Sequence, residues 1–277
     1  MVNNVSTNPG ALVALQNLNR ISAQLEDVQR RVSTGKQVSS AKDNPALYAL
    51  AQKQRAELAS IEPVQQGLRI GASAVDVAIA AGEGISDILV QMRAIASQAS
   101  DPALGASERT LLQDQYVALA DQVGRLVDSA TIGGRNLLDG TTALLSVNAS
   151  TDGSSTIDID GYNLTSASTT VLTFDWDASD LGSAAGAATE LADLDTSIDN
   201  LTSALAALGA GSNSLTLQGN LLSRVADALE ISIGNLVDAD LAKESSRLQA
   251  LQVQQQLAIQ TLSIANAAPN AILALFA

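Results

Sequence analysis

The sequence predicts a mainly α protein: long antiparallel coiled-coil helices forming a rod, with a small central β-hairpin. Three observations carry this. Apolar residues recur every three or four positions through both halves of the chain, the period of a helix with one buried face. Of 277 residues 46% are hydrophobic but only 2% aromatic, and small aliphatic side chains suit closely spaced helices, whereas sheets favour rings and β-branched residues. Only residues 131–190 lose the helical period and turn rich in Gly, Ser, Thr and Asp.

The first helix spans about residue 11 to Thr34, with Leu15, Leu18, Ile21, Leu25, Val28 and Val32 on one face and Gly35 as its stop. Residues 36–44 read as an irregular connector, in which Asp43 or Asn44 caps the next helix and Pro45 is preorganised at its first position. From Pro45 to about Ser100 a helical stripe continues through Leu68, Val75, Ile79, Ile88, Met92 and Ile95, and Pro63 predicts a kink or short break. Gly71, Gly82 and Gly84 each weaken this stretch by about 1 kcal/mol relative to Ala, and read as points of close helix approach. After Asp101-Pro102, Ser107 reads as a cap, with Glu108 favourable in the first turn. Leu112, Tyr116, Leu119, Val123 and Leu126 then form a coiled-coil seam.

In the middle, Gly133-Gly134 and Asp139-Gly140 signal turns. Leu144–Ala149 and Ser155–Asp160 flank Asp152-Gly153, a favoured hairpin tip. Ile157 and Ile159 alternate with Asp158 and Asp160, as in a half-buried strand. Residues 165–188 read as an exposed loop or small strand pair. Helix resumes near Ala187 with Leu191, Leu194, Ile198, Leu201, Leu205 and Leu208, and Gly209-Ala210-Gly211 is expected to break it. Leu215, Leu222, Leu229 and Leu236 follow at intervals of seven; the register then shifts near Val237 and continues through Leu241, Leu248, Leu251, Leu257 and Leu262 until Pro269 stops it.

Composition excludes much chemistry. The chain has no His and no Cys, which removes Ser-His-Asp and Cys-His machinery, His/Cys zinc sites and disulfides. A net charge of −14 argues against nucleic acid and against an anionic membrane surface as partners. No run of apolar residues is long enough to span a membrane, and the N-terminus does not read as a secretory signal. Gly82-Glu83-Gly84 follows no strand and is not a phosphate cradle, while Asp158, Asp160 and Gly161 fall short of a calcium loop. No catalytic, cofactor-binding or metal-binding residue is predicted, and no cofactor; the chain reads as structural rather than enzymatic.

The terminal helices carry more apolar surface than one pair can bury. Leu12, Val13, Ile21, Ile259 and Ile264 accompany the main stripes, and a band wider than a two-stranded seam calls for further partners. The residues assigned to a self-assembly core are Leu12, Leu15, Leu18, Ile21, Leu25, Val28, Val32, Leu241, Leu248, Leu251, Leu262 and Leu273. An intramolecular bundle that satisfies these faces by itself is the alternative that periodicity leaves open.

Five stretches resemble bacterial flagellins when taken in order: Asn17-Leu18-Asn19; residues 31–44; Ala81-Gly82-Glu83-Gly84-Ile85; Gly134-Arg135-Asn136-Leu137-Leu138-Asp139-Gly140; and residues 265–273. The resemblance implies a filament subunit with an N-terminal inner-core helix and spoke over 1–44, outer-rod helices over 45–140, a β-hairpin and variable exposed loop over 141–186, outer-rod C-terminal helices over 187–236 and a C-terminal inner-core helix over 237–277. Large outer domains are absent, as in the minimal flagellins of α-proteobacteria. It also implies an extracellular location in the bacterial flagellum, reached without a cleaved signal peptide. The partners implied are further copies, sibling flagellins, hook-junction and cap proteins, and an export chaperone on the C-terminal helix. Innate-receptor recognition is expected to be weak or absent, because Gln91 and Ala94 replace the Arg and Glu of the family's receptor motif. Surface residues of flagellins often carry O-linked sugars, which makes Ser154, Ser155, Thr165, Ser166, Ser168 and Thr169 candidates. A hook–filament junction protein and a non-polymerising coiled-coil adaptor are the rival readings.

Overall fold

The computed structural model describes the backbone of residues 8–273 and the side chains of residues 8–267 except Ser179. Helices α1 (Pro9–Thr34), α2 (Pro45–Ala99) and α3 (Ala106–Ser129) precede a β region, and α4 (Ala184–Val237) and α5 (Leu241–Leu273) follow it. The chain divides into two compact units, one made of Met1–Leu58 with Asp227–Ala277 and the other of Ala59–Ala226.

In the second unit, α2 and α4 run antiparallel, as shown by hydrogen bonds from Gln65 to Ser223 (3.0 Å) and from Ser212 to Asp76 (2.9 Å), and by the ion pair of Arg93 with Asp195. The buried seam of α4 is a strict heptad: Ala187, Leu194, Leu201, Leu208, Leu215 and Leu222 are all covered. This explains why the expected break at Gly209-Ala210-Gly211 does not occur. Leu208 and Leu215 stay seven residues apart across the glycines, so the seam continues, and its burial outweighs about 1 kcal/mol of lost propensity per Gly. Likewise α2 runs unbroken through Pro63, which costs the carbonyl of Ala59 its partner, while Ile61 and Leu68 on either side remain buried. Pro269 does not stop α5 either, which extends to Leu273.

Glycines shape this unit. A Cβ at Gly82 would lie 2.5 Å from Cδ2 of Leu205, so α2 and α4 approach closely there, as expected. At Gly71 the intruder is not a helix. A Cβ there would meet Val147 at 2.7 Å, and one at Gly211 would meet Ile159 at 3.0 Å. Val147 and Ile159 belong to β3 (Leu144–Asn148) and β4 (Thr156–Asp160), the expected antiparallel hairpin, in register Leu145↔Ile159 and Val147↔Ile157. Gly153 at its tip has φ 70°, a conformation that glycine adopts without a steric cost. One notch on each helix therefore seats the inward row of the hairpin. A second hairpin, of β1 (Thr131–Ile132) and β2 (Arg135–Asn136), turns through Gly133-Gly134. Asn136 ties it down, donating to the Val127 carbonyl (2.6 Å) and accepting from the Leu138 N–H (2.8 Å).

Three expectations need correction around α3. Its cap is Gly105, whose N–H donates to the Glu108 carboxylate (2.6 Å), and not Ser107. The seam is centred on Tyr116, Ala120, Val123 and Val127, which are buried, with Leu119 and Leu126 on its flanks. The preceding corner is held by Arg109, which donates to the carbonyls of Ala99 (3.0 Å), Asp101 (2.6 Å) and Leu104 (2.8 Å) and so satisfies the open end of α2.

The third correction concerns residues 165–188. They form neither an exposed loop nor a strand pair, because Val171, Leu172, Phe174, Ala178 and Leu181 are buried and a short 3-10 turn, Ser179–Gly182, packs against α3. Phe174 meets Tyr116 edge-on at 6.3 Å and lies 4.7 Å from Trp176. Beneath them the Glu190 carboxyl, 1% exposed, accepts hydrogen bonds from the Tyr116 hydroxyl and the Asp175 N–H. Burial pushes this carboxyl up to about 7, the two hydrogen bonds opposing the shift and the neighbouring Asp175 and Asp193 adding to it.

A carboxyl that keeps its proton in the folded chain to about pH 7, but releases it in the usual carboxylate range once unfolded, makes stability fall as pH rises through that interval and level off above it. Glu190→Gln is expected to flatten that slope. Thermal unfolding followed by the fluorescence of the single Trp between about pH 4.5 and 7 checks this.

Candidate self-assembly interface

The first unit is built on a different balance. Its first helix begins with Asn8, whose side-chain oxygen accepts from the Ala11 N–H (3.2 Å), followed by Pro9. It ends at Gly35, in the left-handed conformation at φ 68°, whose N–H returns to the Arg31 carbonyl. α5 runs antiparallel to it. Contacts pair Arg31 with Glu244 (3.4 Å), Gln255 with Ser22 (3.3 Å) and the Asn8 side chain with the Ala265 carbonyl (2.7 Å).

The core between these helices is thin. Leu25, Val28 and Leu251 are buried together, and Ile21, Val32 and Leu248 pack half-buried against them. Leu18 and Leu262 are also half-buried. The other predicted core residues stand in the open: Leu12 is 53% exposed, Leu15 43% and Leu241 49%. Leu273 lies in α5, with its side chain outside the described residues.

Exposure on α5 follows a pattern. At about 100° per residue, Val253, Leu257 and Ile264 fall within roughly 40° of one another, about 120–180° around the helix from Leu251 and Leu262. All three are more than half exposed. α5 is therefore apolar on two opposite faces, of which α1 covers one. Each half-exposed aliphatic side chain leaves on the order of 1 kcal/mol of burial unrealised. Leu257, expected in the seam with Leu251 and Leu262, lies on this outer face instead, and Val253, four residues before it, was not singled out by the sequence reading.

A polar knot joins this pair to α2. Gln37 and Val38 donate to the Val237 carbonyl (2.7 and 3.2 Å), and Ala239 donates to the Gly35 carbonyl (2.9 Å), so the connector 36–44 is laced to the break between α4 and α5. One oxygen of Asp43 accepts from the N–H and hydroxyl of both Ser39 and Ser40, at 2.9–3.2 Å, and the other accepts from Arg30 at 3.1 Å. The Ser39 hydroxyl, then the Ser40 N–H, hold the Asp43 carboxyl down to about 2. Asn44 caps α2 by accepting from the N–H groups of Ala46 and Leu47, both at 3.1 Å. Sequence spacing marked Asp43 and Asn44 as alternative caps, but not the clamp that Asp43 makes, because that depends on how the connector folds back.

Among the described residues no group of carboxylates is placed to hold a metal ion, and no helix is long and apolar enough to cross a membrane. The candidate O-linked positions divide: Ser154, Ser155, Ser166 and Thr169 are exposed, whereas Thr165 and Ser168 are half-buried with their hydroxyls engaged by Asn163 and Thr170.

Asp43 contributes stability above the usual carboxylate range, and loses it as pH falls through about 2. Asp43→Ala is expected to loosen the connector at neutral pH, read as faster amide hydrogen exchange at residues 36–44 with the exchange of residues 59–226 unchanged.

Comparison with known proteins agrees with this architecture. Residues 5–143 match the bacterial flagellin N-terminal helical region, and residues 191–276 match the bacterial flagellin C-terminal helical region. The chain is 42% identical over 281 aligned residues to flagellin FljO of Caulobacter vibrioides, covering 99% of each chain, and 34% identical to a flagellin of Brucella melitensis, covering 98% of each. The crystal structure of Bacillus cereus flagellin superposes with a TM-score of 0.50 at 26% identity, covering 56% of this chain and 88% of that one. Two long antiparallel terminal helices, a thin core between them and these matches along nearly the whole length place the chain in the bacterial flagellin family, the structural subunits of the extracellular flagellar filament.

Proposed function

We propose that the α1–α5 pair forms the inner core of the filament, with the uncovered faces of both helices buried against neighbouring copies. The observation that carries this reading is the outer stripe of Val253, Leu257 and Ile264, opposite the face that α1 already covers. Leu12, Val13 and Leu15 extend the exposed surface on α1. The predicted core residues fall into two sets in this reading: Leu25, Val28 and Leu251 hold the pair together, and Leu12, Leu15 and Leu241 meet other copies.

Residues 1–44 and 237–277 supply the inner core and its spoke, residues 45–140 and 187–236 the outer rod, and residues 141–186 the hairpin and outer surface. The subunit leaves the cell through the flagellar export apparatus with its N-terminus uncleaved. A chaperone that shields the apolar outer stripe of α5 keeps it soluble before export, and cap and hook-junction proteins meet it at the filament ends.

Receptor recognition is weak in this reading. On the outward side of residues 89–98 stand Gln91 and Ala94, and Arg93 is already engaged by Asp195. A lost charge-assisted contact of this kind costs about 1.5–3 kcal/mol.

Purified protein at high concentration is expected to form long helical fibres in electron micrographs. Removing residues 1–34 is expected to abolish them while circular dichroism still reports a folded helical unit; fibres that persist after the deletion overturn the reading. In a receptor-reporter assay the response is expected to fall well below that to an enterobacterial flagellin, and an equal response contradicts the receptor part alone.

A further inference from the structure

Residues 171–183 cross the second unit without joining a strand, and side chains of α4 fasten them. On α4, Glu190, Ser197 and Asn200 recur at steps of seven and three and so share one face. Asn200 donates to the Val171 carbonyl (3.3 Å), the Ser197 hydroxyl accepts from the Thr173 N–H (2.8 Å), and the Glu190 carboxyl accepts from the Asp175 N–H (3.0 Å). Val171, Thr173 and Asp175, alternate residues of the segment, are thus each tied to the helix by a side chain, where a strand would be tied by a ladder. Leu172, Phe174, Ala178 and Leu181 are buried, and the turn Ser179–Gly182 packs on α3.

The closed segment carries three costs that its packing offsets. Ala178 has φ 54°, the one positive value at a non-glycine residue among the described residues, and in that left-handed conformation a Cβ crowds the backbone. A Cβ on Gly124 of α3 would lie 4.0 Å from the Trp176 ring, and the buried indole N–H of Trp176 meets no acceptor. Glu190 is the third cost. Its carboxyl is 1% exposed and forms no ion pair among the described residues. The charged groups that face it are acidic, Asp175 from the segment and Asp193 from α4, and α3 offers only the Tyr116 hydroxyl, an uncharged donor. A negative charge on Glu190 is therefore buried beside like charge with no ion-pair partner to balance it.

We propose that residues 171–183 are a strap that opens from α3 and α4 as one unit once Glu190 is charged, while the helices beneath stay packed. α4 keeps its own hold on α2 through the heptad that continues to Leu208, Leu215 and Leu222 and through the Arg93–Asp195 pair, so the strap can leave without it. Opening brings Glu190 and the Trp176 N–H to water and lets Ala178 leave the left-handed region, which relieves all three costs together. The device lies wholly in the second unit and works in a single chain, apart from any contact between copies. Closed, Glu190 keeps its proton to about pH 7; open, it loses it near the usual 4.5. Opening therefore grows easier by up to about tenfold per pH unit across that interval, on the order of a hundredfold in all, and levels off above it.

In the dilute full-length chain, two measurements between about pH 4.5 and 8 read the strap: amide exchange of residues 171–183, corrected for its intrinsic pH dependence, and acrylamide quenching of Trp176, the single Trp. Opening is expected to rise to a plateau near neutral pH, while the amides of residues 201–222 stay protected. Glu190→Gln keeps an oxygen for Tyr116 and Asp175 but cannot ionise, and is expected to remove the rise. Tyr116→Phe keeps the ring and deletes a hydrogen bond that favours the charged carboxyl, so the rise is expected to extend to higher pH. Ser197→Ala cuts one tie without touching the charge, and is expected to raise opening by a similar factor at every pH. Wild-type opening that is independent of pH, a Glu190→Gln variant that keeps the rise, or an unmoved profile in Tyr116→Phe overturns the proposal. Exchange of residues 171–183 only together with residues 201–222 overturns it as well, because the whole unit then unfolds and no strap opens. Should Glu190→Gln fail to fold, the wild-type and Tyr116→Phe profiles decide.

Discussion

Helix α5 has two apolar faces and the chain covers one of them, a constraint from which most of the protein's behaviour follows. A helix surrounded by its own domain is apolar all round, and a surface helix has one stripe. α5 fits neither description, with Leu251 buried against α1 while Val253, Leu257 and Ile264 face outward. The apolar cluster of Leu25, Val28 and Leu251 is a small core for helices of 26 and 33 residues. Tertiary burial, more than propensity, holds a helix in place, and the chain itself supplies this pair with little of it.

The second unit has no such debt. The heptad from Ala187 to Leu222 is buried along its length, the hairpin sits in notches at Gly71 and Gly211, and Tyr116, Phe174 and Trp176 fill the space under the 171–183 segment. Its polar interior is organised as well, with Glu190 accepting two hydrogen bonds and Ser197 buried where Thr173 meets α4. The first unit differs in leaving Leu12, Leu257 and Ile264 more than half exposed around a thin core.

Much of this was legible from spacing. The helix bounds at Thr34, Pro45 and Val237 and the β3–β4 register agree with the patterns of period 3.6 and 2. The excess of apolar residues at both ends was visible too. Three of the failures are of one kind. Pro63, Gly209-Ala210-Gly211 and Pro269 each disfavour a helix locally by an amount that propensity describes well, and each lies inside a helix. For the first two, the flanking seam continues in phase, and burial summed over its length exceeds one local penalty. The 165–188 stretch failed in the opposite direction. Its few large side chains, Phe174 and Trp176 among them, looked sparse in a polar segment, yet they occupy space left by Tyr116, which lies more than fifty residues earlier in the chain.

What the sequence determined by itself was the period of each segment, the residues that must leave water and the chemistries that the chain lacks, because these depend on side chains and their neighbours along the backbone. Only the tertiary structure decided which apolar face found a partner within the chain, why Gly71 and Gly211 are glycines, and how Asp43 and Glu190 came to be held far from the ordinary carboxylate range in opposite directions. Those outcomes depend on groups distant in sequence: a strand entering a notch, a tyrosine reaching across from another helix, a connector folding back on itself. Proximity of that kind is a property of packing, and linear spacing does not encode it.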